Sequence, residues 1–337
     1  MRLERFIPLV RSEIVGIVAH CKRLHHDRGA IFCMSSQFLA VDWGTTNTRA
    51  WVVGEDGKPA RRREFALGVG RLAPGEAAKR FADTIRPQMG AEGLPALLCG
   101  MIGSNLGLVE APYLDCPADM ARLRRELCPA PMAGPPVWVV PGLRCTRPDG
   151  GPDVMRGEET HVLGWAAADP ARLRGEHLIC QPGTHAKWVR LVDGRIERFI
   201  TSMTGELFDL LRKHSVLRVR DAEDSETAFD QGLEAAGDGG ALASRLFTAR
   251  ARVVGGDMRP QLVESYLSGL LIGAEIASAP RLLGVASQTP VAVVGDPQLA
   301  GRYLRALRAS GYNASVHDGD AAALSGLAAL RDGALVP

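Results

Sequence analysis

Apolar and polar positions along the chain follow strand and helix periods in an order that repeats. Phe38–Trp43 is an almost unbroken apolar run that reads as a buried strand, and it ends in the polar, glycine-led turn Gly44-Thr45-Thr46-Asn47. Thr48–Val53 returns as a second strand, and Glu55-Asp56-Gly57-Lys58 signals a turn into a third over 62–67. Ala77, Phe81, Ile85 and Met89, at four-residue steps, predict a helix over 76–89. Short buried strands follow at 95–99 and 137–140, then a helix over 158–168.

A similar order then recurs. Residues 177–181 form an apolar strand ending in Pro182-Gly183-Thr184-His185, and strands at 188–191 and 195–200 flank the turn Asp193-Gly194. Helices are expected over 205–213, 225–236 and 261–279, a strand over 290–295, and an amphipathic helix over 298–310. A strand at 314–317 and a helix over 321–330 complete the pattern. Strand, hairpin, then alternating helices and strands, twice over, predicts an α/β chain of two lobes. We place the first lobe at 35–156 and the second, with a helical insertion, at 157–337.

Composition narrows the class. The chain has 337 residues, 46% hydrophobic and 23% charged, enough for a sizeable core and unlike a disordered chain. Residues 1–34 carry six bases and three acids, leaving 34 Lys and Arg against 35 Asp and Glu in the body. The body therefore has no global basic field for nucleic acid. Seven scattered cysteines without a CxxC pair read as reduced thiols, the expectation for a cytoplasmic protein. No uninterrupted apolar run approaches the ~18 residues of a spanning helix. Residues 1–33 lack any sustained period, so 1–34 is expected to be an extension, with Met34 as the natural start. Cys21, His25, His26 and Cys33 fit no standard zinc spacing.

Four constellations could carry chemistry. In Asp42-Trp43-Gly44-Thr45-Thr46-Asn47-Thr48-Arg49, a strand delivers one carboxylate and a turn presents N–H groups and hydroxyls, which suits a metal-bound phosphate. Gln181-Pro182-Gly183-Thr184-His185-Ala186-Lys187-Trp188 stands in the corresponding place of the second half. Arg156-Gly157-Glu158-Glu159-Thr160 opens a helix near the lobe boundary with two acids, suited to taking a proton or merely to facing the helix dipole. Val294-Gly295-Asp296-Pro297 is a strand-to-helix turn that either cups an adenosine or simply caps the helix. No GxxxxGK[ST] occurs, and no GxGxxG follows a strand.

These blocks are joined by Gly100-Met101-Ile102-Gly103-Ser104-Asn105, Ala111-Pro112-Tyr113-Leu114, Met203-Thr204-Gly205-Glu206-Leu207 and Tyr266-Leu267-Ser268-Gly269-Leu270-Leu271-Ile272-Gly273-Ala274-Glu275. In that order, across about 38–330, the sequence resembles the 2-dehydro-3-deoxygalactonokinase family of the actin-like ATPase and sugar kinase superfamily. The resemblance implies two ribonuclease-H-like (actin-like ATPase) lobes with an interlobe cleft, hinging on the helices near 158 and 270. It implies ATP-dependent phosphorylation of the 6-hydroxyl of 2-dehydro-3-deoxy-D-galactonate in galactonate breakdown, with an aldolase taking the product. ATP and Mg²⁺ are the implied cofactors and a small sugar acid the partner, with no nucleic acid and no membrane; self-association is left open.

The same resemblance implies the roles. Asp42 would organise Mg²⁺ through its waters, with Gly44, Thr45, Thr46 and Asn47 as the first phosphate turn and Gly183, Thr184 and His185 as the second. Gly295 and Asp296 would meet the nucleoside. Glu158 is the expected base, with Glu159 kept in play. Arg156, then Lys187, would hold the substrate carboxylate, and Ser104, Asn105 and Tyr113 its hydroxyls. The rivals are a kinase for another sugar acid and, from a different class, a non-catalytic sugar sensor or a filament-forming relative.

Overall fold

Strand β1 (Phe38–Trp43) is buried at every position because it lies in the middle of a sheet with helices on both faces. The structure, a computed structural model, describes residues 37–237 and 240–332; the expectations for Met34 and the segment before it lie outside the described residues. β1 pairs antiparallel with β2 (Thr48–Val53), which pairs with β3 (Pro59–Phe65). On its other edge β1 pairs parallel with β4 (Ala96–Gly100), followed by β7 (Val137–Val139) and the short β6 (Cys128–Pro129). The second sheet repeats this plan. Its central strand β10 (Glu176–Gln181) carries the hairpin of β11 (Ala186–Val192) and β12 (Arg195–Ser202) on one edge. On the other it carries the parallel strands β13 (Val291–Gly295) and β14 (Ala314–Asp318).

The outer faces are closed as the apolar spacing requires. Helix α1 (76–89) lays Ala77, Phe81, Ile85 and Met89 onto Leu39, Val41 and Leu98. Its middle widens into a π turn at Phe81–Ile85 just before Pro87, which has no N–H to return to the preceding turn. A shorter helix, α2 (Met120–Arg125), is capped by Asp119. In the second half, helices α4 (Thr204–His214), α5 (Glu226–Ala236) and α6 (Leu242–Gly255) form the insertion. They surround α7 (Val263–Leu282) in a cluster built on Ala228, Ala249, Tyr266 and Leu267. Together with α8 (Pro297–Ala309), α7 covers Leu178 and Cys180 of β10. With its preceding turn, α7 is long and apolar enough to cross a membrane, yet 72% of its apolar window is buried, so it is a core helix here.

Three features depart from the expectations. Helix α6 was not foreseen, although Leu242, Leu246, Ala249 and Val253 carry its period. A small sheet of β5 (Tyr113–Asp115), β8 (Gly142–Thr146) and β9 (Pro152–Met155) has strands too short to register as periodic runs. The hinge helix near 270 is also misplaced: α7 lies on the outer face of the second sheet. The helix that pairs with α3 (Glu158–Ala167) is α9 (Gly319–Asp332), which touches β1 and β4 as well as β13 and β14.

Helices α3 and α9 end the two halves and cross by a two-fold-like exchange of glycines. A Cβ on Gly164 would stand 2.1 Å from the Ala322 carbonyl, and one on Gly326 2.2 Å from the Thr160 carbonyl. Each helix also starts on a glycine pressed against the parallel strand of its own half. A Cβ on Gly157 (φ +109°) would lie 2.9 Å from Gly100 Cα, and one on Gly319 3.0 Å from Gly295 Cα. Only side-chain-free positions let the backbones meet so closely.

Two alanine substitutions should therefore move stability in opposite directions. Gly326→Ala forces α3 and α9 apart and should cost about 1–3 kcal/mol. Gly301→Ala, on an open face of α8 with nothing within 4 Å, should be neutral or add up to ~1 kcal/mol. Urea unfolding midpoints of the two variants check this; equal shifts would contradict the packing described.

Candidate active site

The first polar turn is held from behind. The carbonyls of Gly44, Thr45 and Thr46 accept the N–H groups of Val69, Gly70 and Gly68, each at 3.0 Å. In a trans peptide the N–H points opposite to its carbonyl, so the N–H groups of Thr45, Thr46 and Asn47 are turned to the other side. Residues 45–47 are exposed there, as an anion-binding turn requires. Asn47 donates its amide to Glu64 at 3.2 Å.

Asp42, just before this turn, is buried but not alone. Its Oδ2 accepts Arg49 Nη2 at 2.5 Å and His161 Nε2 at 3.2 Å, and the Cys99 thiol stands 3.8 Å from Oδ1. Burial alone would raise its pKa; His161 and Arg49 outweigh that and hold it at about 2. The same partnership raises His161 against its own burial. Arg49 also reaches Asp320, the second residue of α9, which binds Arg62 as well.

Helix α3 brings the other half to this point. Glu158 and His161 are three residues apart and share one face of its first turn. While His161 meets Asp42, Glu158 Oε1 meets Lys187 Nζ at 3.1 Å, and its Oε2 accepts the Arg156 N–H at 3.1 Å. Lys187 is buried and also donates to the His185 carbonyl at 3.3 Å. Glu159 turns inward instead. Its carboxylate accepts the Gly157 N–H at 2.7 Å and the Thr160 hydroxyl at 3.1 Å. Burial first, then the charge of Glu158, push its pKa up to about 7.

The second turn is braced like the first. The Thr184 carbonyl accepts the Glu206 N–H at 3.0 Å, and a Cβ on Gly205 would come 2.4 Å from the Gly183 carbonyl. Thr184 and His185 are exposed, with His185 Nε2 on the Glu206 carboxylate. Gly183 borders a pocket of about 220 Å³ walled by Thr204, Phe208, Leu271, Asp296 and Arg302. Asp296 both lines this pocket and caps α8, accepting the N–H groups of Gln298 and Leu299. Gly295 lies next to Pro182. Behind the pocket, buried Glu275 accepts Trp188 Nε1 at 2.5 Å, Tyr303 Oη at 2.9 Å and the Thr204 hydroxyl.

Arg156 occupies a separate niche. Its guanidinium stacks 4.2 Å from the centre of the Tyr113 ring and donates Nη2 to the Ala111 carbonyl at 2.8 Å. It faces Gly103, and its buried Nη1 has no hydrogen-bond partner. Ser104 accepts the Leu106 N–H at 3.3 Å, and Asn105 is exposed in the same turn. His161 and Asp320 stand outside the polar blocks of the sequence, whereas Arg49 and Gln181 stand at the ends of two of them without a role assigned there. Strand register could have suggested Arg49, which pairs with Asp42 across the hairpin. Nothing local pointed to Asp320, which is 271 residues from Arg49 in the chain.

Over most of its length the chain is similar to proteins of known family. Residues 42–330 match the 2-keto-3-deoxy-galactonokinase family. The chain is 38% identical over 298 residues to a probable 2-dehydro-3-deoxygalactonokinase of Rhizobium meliloti (strain 1021), spanning 87% of this chain and 95% of that one. It is 37% identical over 296 residues to the 2-dehydro-3-deoxygalactonokinase of Escherichia coli (strain K12), spanning 87% and 97%. The crystal structure of a Sinorhizobium meliloti protein described as a 2-dehydro-3-deoxygalactonokinase superposes with a TM-score of 0.77 at 36% identity. That match covers 89% of this chain and 100% of the other. With the match running from the acid of the first turn into the last helix, the chain belongs to the 2-keto-3-deoxy-galactonokinase family.

Proposed function

We propose that this protein transfers the γ-phosphoryl group of ATP to the 6-hydroxyl of 2-dehydro-3-deoxy-D-galactonate. One observation carries the reading beyond a generic kinase: Arg156 and Glu158 stand on either side of Gly157, an anion binder and a base. The orphaned Nη1 of Arg156 is a buried donor waiting for an acceptor, and a planar carboxylate matches the guanidinium fork. A molecule with an acid at one end and a primary hydroxyl at the other suits this pair. Breakdown of galactonate in the cytoplasm is the setting this substrate implies. We place the lobe boundary at α3, the helix that ends the first half, so that both residues lie at the cleft.

Roles follow from the contacts. The 220 Å³ pocket beside Gly183 would take the nucleoside, and the turns 44–47 and 183–185 its phosphates. Asp42 fits a hydrated Mg²⁺: Oδ2 is taken by Arg49 and His161, but Oδ1 meets only a weak thiol donor and keeps lone pairs for metal-bound water. The cation, when bound with ATP, supplies neutralisation of phosphate charge. Glu158, fixed by Lys187 and the Arg156 N–H, accepts the proton of the 6-hydroxyl as its oxygen bonds to the γ-phosphorus and ADP departs. Lys187 is thus assigned to the base rather than to the substrate carboxylate. Glu159 is assigned to the helix start, because both its oxygens are used internally.

A coupled ADP-release assay over a panel of 2-keto-3-deoxy sugar acids tests the function. The galacto acid should be preferred, and equal rates on acids and neutral sugars would contradict the reading. In the same assay Glu158→Ala should lower turnover by ~10²–10⁴ with ADP affinity kept within a few-fold. Arg156→Ala should raise KM for the sugar acid by ~10–100-fold, the worth of a charged hydrogen bond, and leave KM for ATP unchanged.

The buried Glu159 has a separate signature in stability. Because its folded pKa is raised from 4.5 to about 7, the folded protein keeps a proton that the unfolded chain loses in that window. Its contribution is full below about 4.5 and is lost as pH rises through about 7. Glu159→Gln keeps the acceptor for Gly157 and removes the titration. Denaturation from pH 4 to 8 should show the variant gaining on the parent as pH rises. His161 titrates in both proteins, so the difference isolates Glu159.

A further inference from the structure

The two halves repeat one arrangement around their central strands, and one member of it has no assigned work. In the first half Asp42 stands level with Cys99, one residue before Gly100, and opposite Arg49 in the hairpin. In the second, Cys180 stands level with Val293, which brings Gln181 level with Val294, one residue before Gly295. Gln181 is opposite Lys187 in its hairpin. Each cation then reaches the residue that follows the glycine at the start of the helix ending the other half: Arg49 reaches Asp320 after Gly319 of α9, and Lys187 reaches Glu158 after Gly157 of α3. Asp42, Arg49 and Asp320 thus correspond to Gln181, Lys187 and Glu158.

Side-chain direction corresponds as well. Leu39, Val41 and Trp43 point into the outer core of the first sheet, which leaves Asp42 on the face toward α3. Leu178 and Cys180 point into the outer core of the second, which leaves Gln181 on the opposite face. On that face His177, four residues earlier, packs its ring edge-on to Trp165 of α3, 5.4 Å between centroids. Gln181 is only 5% exposed, and its Oε1 has no hydrogen-bond partner. An unmatched buried acceptor is costly unless a ligand or water supplies the donor.

We propose that the Gln181 amide is the second half's counterpart of Asp42, an acceptor for the water shell of the Mg²⁺ that travels with the nucleotide phosphates. Its oxygen is a hard ligand type suited to that shell. A neutral amide fills the place without setting a second carboxylate beside Lys187, which already pairs with Glu158. The inference rests on reading 44–47 and 183–185 as one nucleotide site.

Calorimetric titration with ADP, with and without Mg²⁺, separates the two claims without using turnover. Wild-type protein should bind ADP more tightly with Mg²⁺ than without. In Gln181→Ala that Mg²⁺-dependent gain should fall by about 10-fold or more, the usual effect of losing an outer-shell partner, with metal-free ADP affinity within two-fold. Gln181→Glu, which keeps an acceptor oxygen, should retain the gain and shows that the position tolerates substitution. If Gln181→Ala keeps the full gain, or if both variants weaken metal-free ADP equally, the proposal is overturned. A wild-type affinity indifferent to Mg²⁺ would instead overturn the shared nucleotide site.

Discussion

The first turn of helix α3 is the constraint on which the site depends. Within four residues it carries Glu158, which is ion-paired to Lys187 of the second sheet, and His161, which is bonded to Asp42 of the first. A helix repeats every ~3.6 residues, so these two side chains rise from one face and tie the end of β1 and the start of β11 to one point. Asp42 lies two residues before the first polar turn and Lys187 two residues after His185 of the second. The glycines at 157, 164, 319 and 326 make this possible, since any larger residue would hold α3 and α9 off the strands or off each other.

The charges at this point are arranged so that burial is tolerated. An isolated buried carboxylate would protonate; Asp42 stays ionised because Arg49 and His161 are within hydrogen-bond reach. Arg49 is in turn shared with Asp320, so the first half holds its acid in a chain of alternating charge. The second half has the same layout with different chemistry, an amide opposite a lysine and Glu158 at the helix start.

Much of this was legible in the sequence. The central strands, their hairpins and the two polar turns showed as apolar runs broken by Gly-Thr and Pro-Gly, because buried strands and sharp turns leave local traces. Helix α6 carries its period in Leu242, Leu246, Ala249 and Val253, residues that pack against α7. The small sheet of β5, β8 and β9 was not readable, since strands of three to five residues have too few positions to show alternation. The pairing of α3 with α9, and of Arg49 with Asp320, depends on contacts between distant segments and left no local signal. Which of Glu158 and Glu159 turns inward also needed the fold: adjacent helical residues point about 100° apart, and only packing tells which direction is the core.

A crystal structure with ADP, Mg²⁺ and the sugar acid bound would test the central claim most directly. The phosphates should lie between residues 44–47 and 183–185, with the Glu158 carboxylate at hydrogen-bond distance from the 6-hydroxyl. Phosphates bound to one turn alone, or a hydroxyl nearer to any carboxylate other than Glu158, would contradict it.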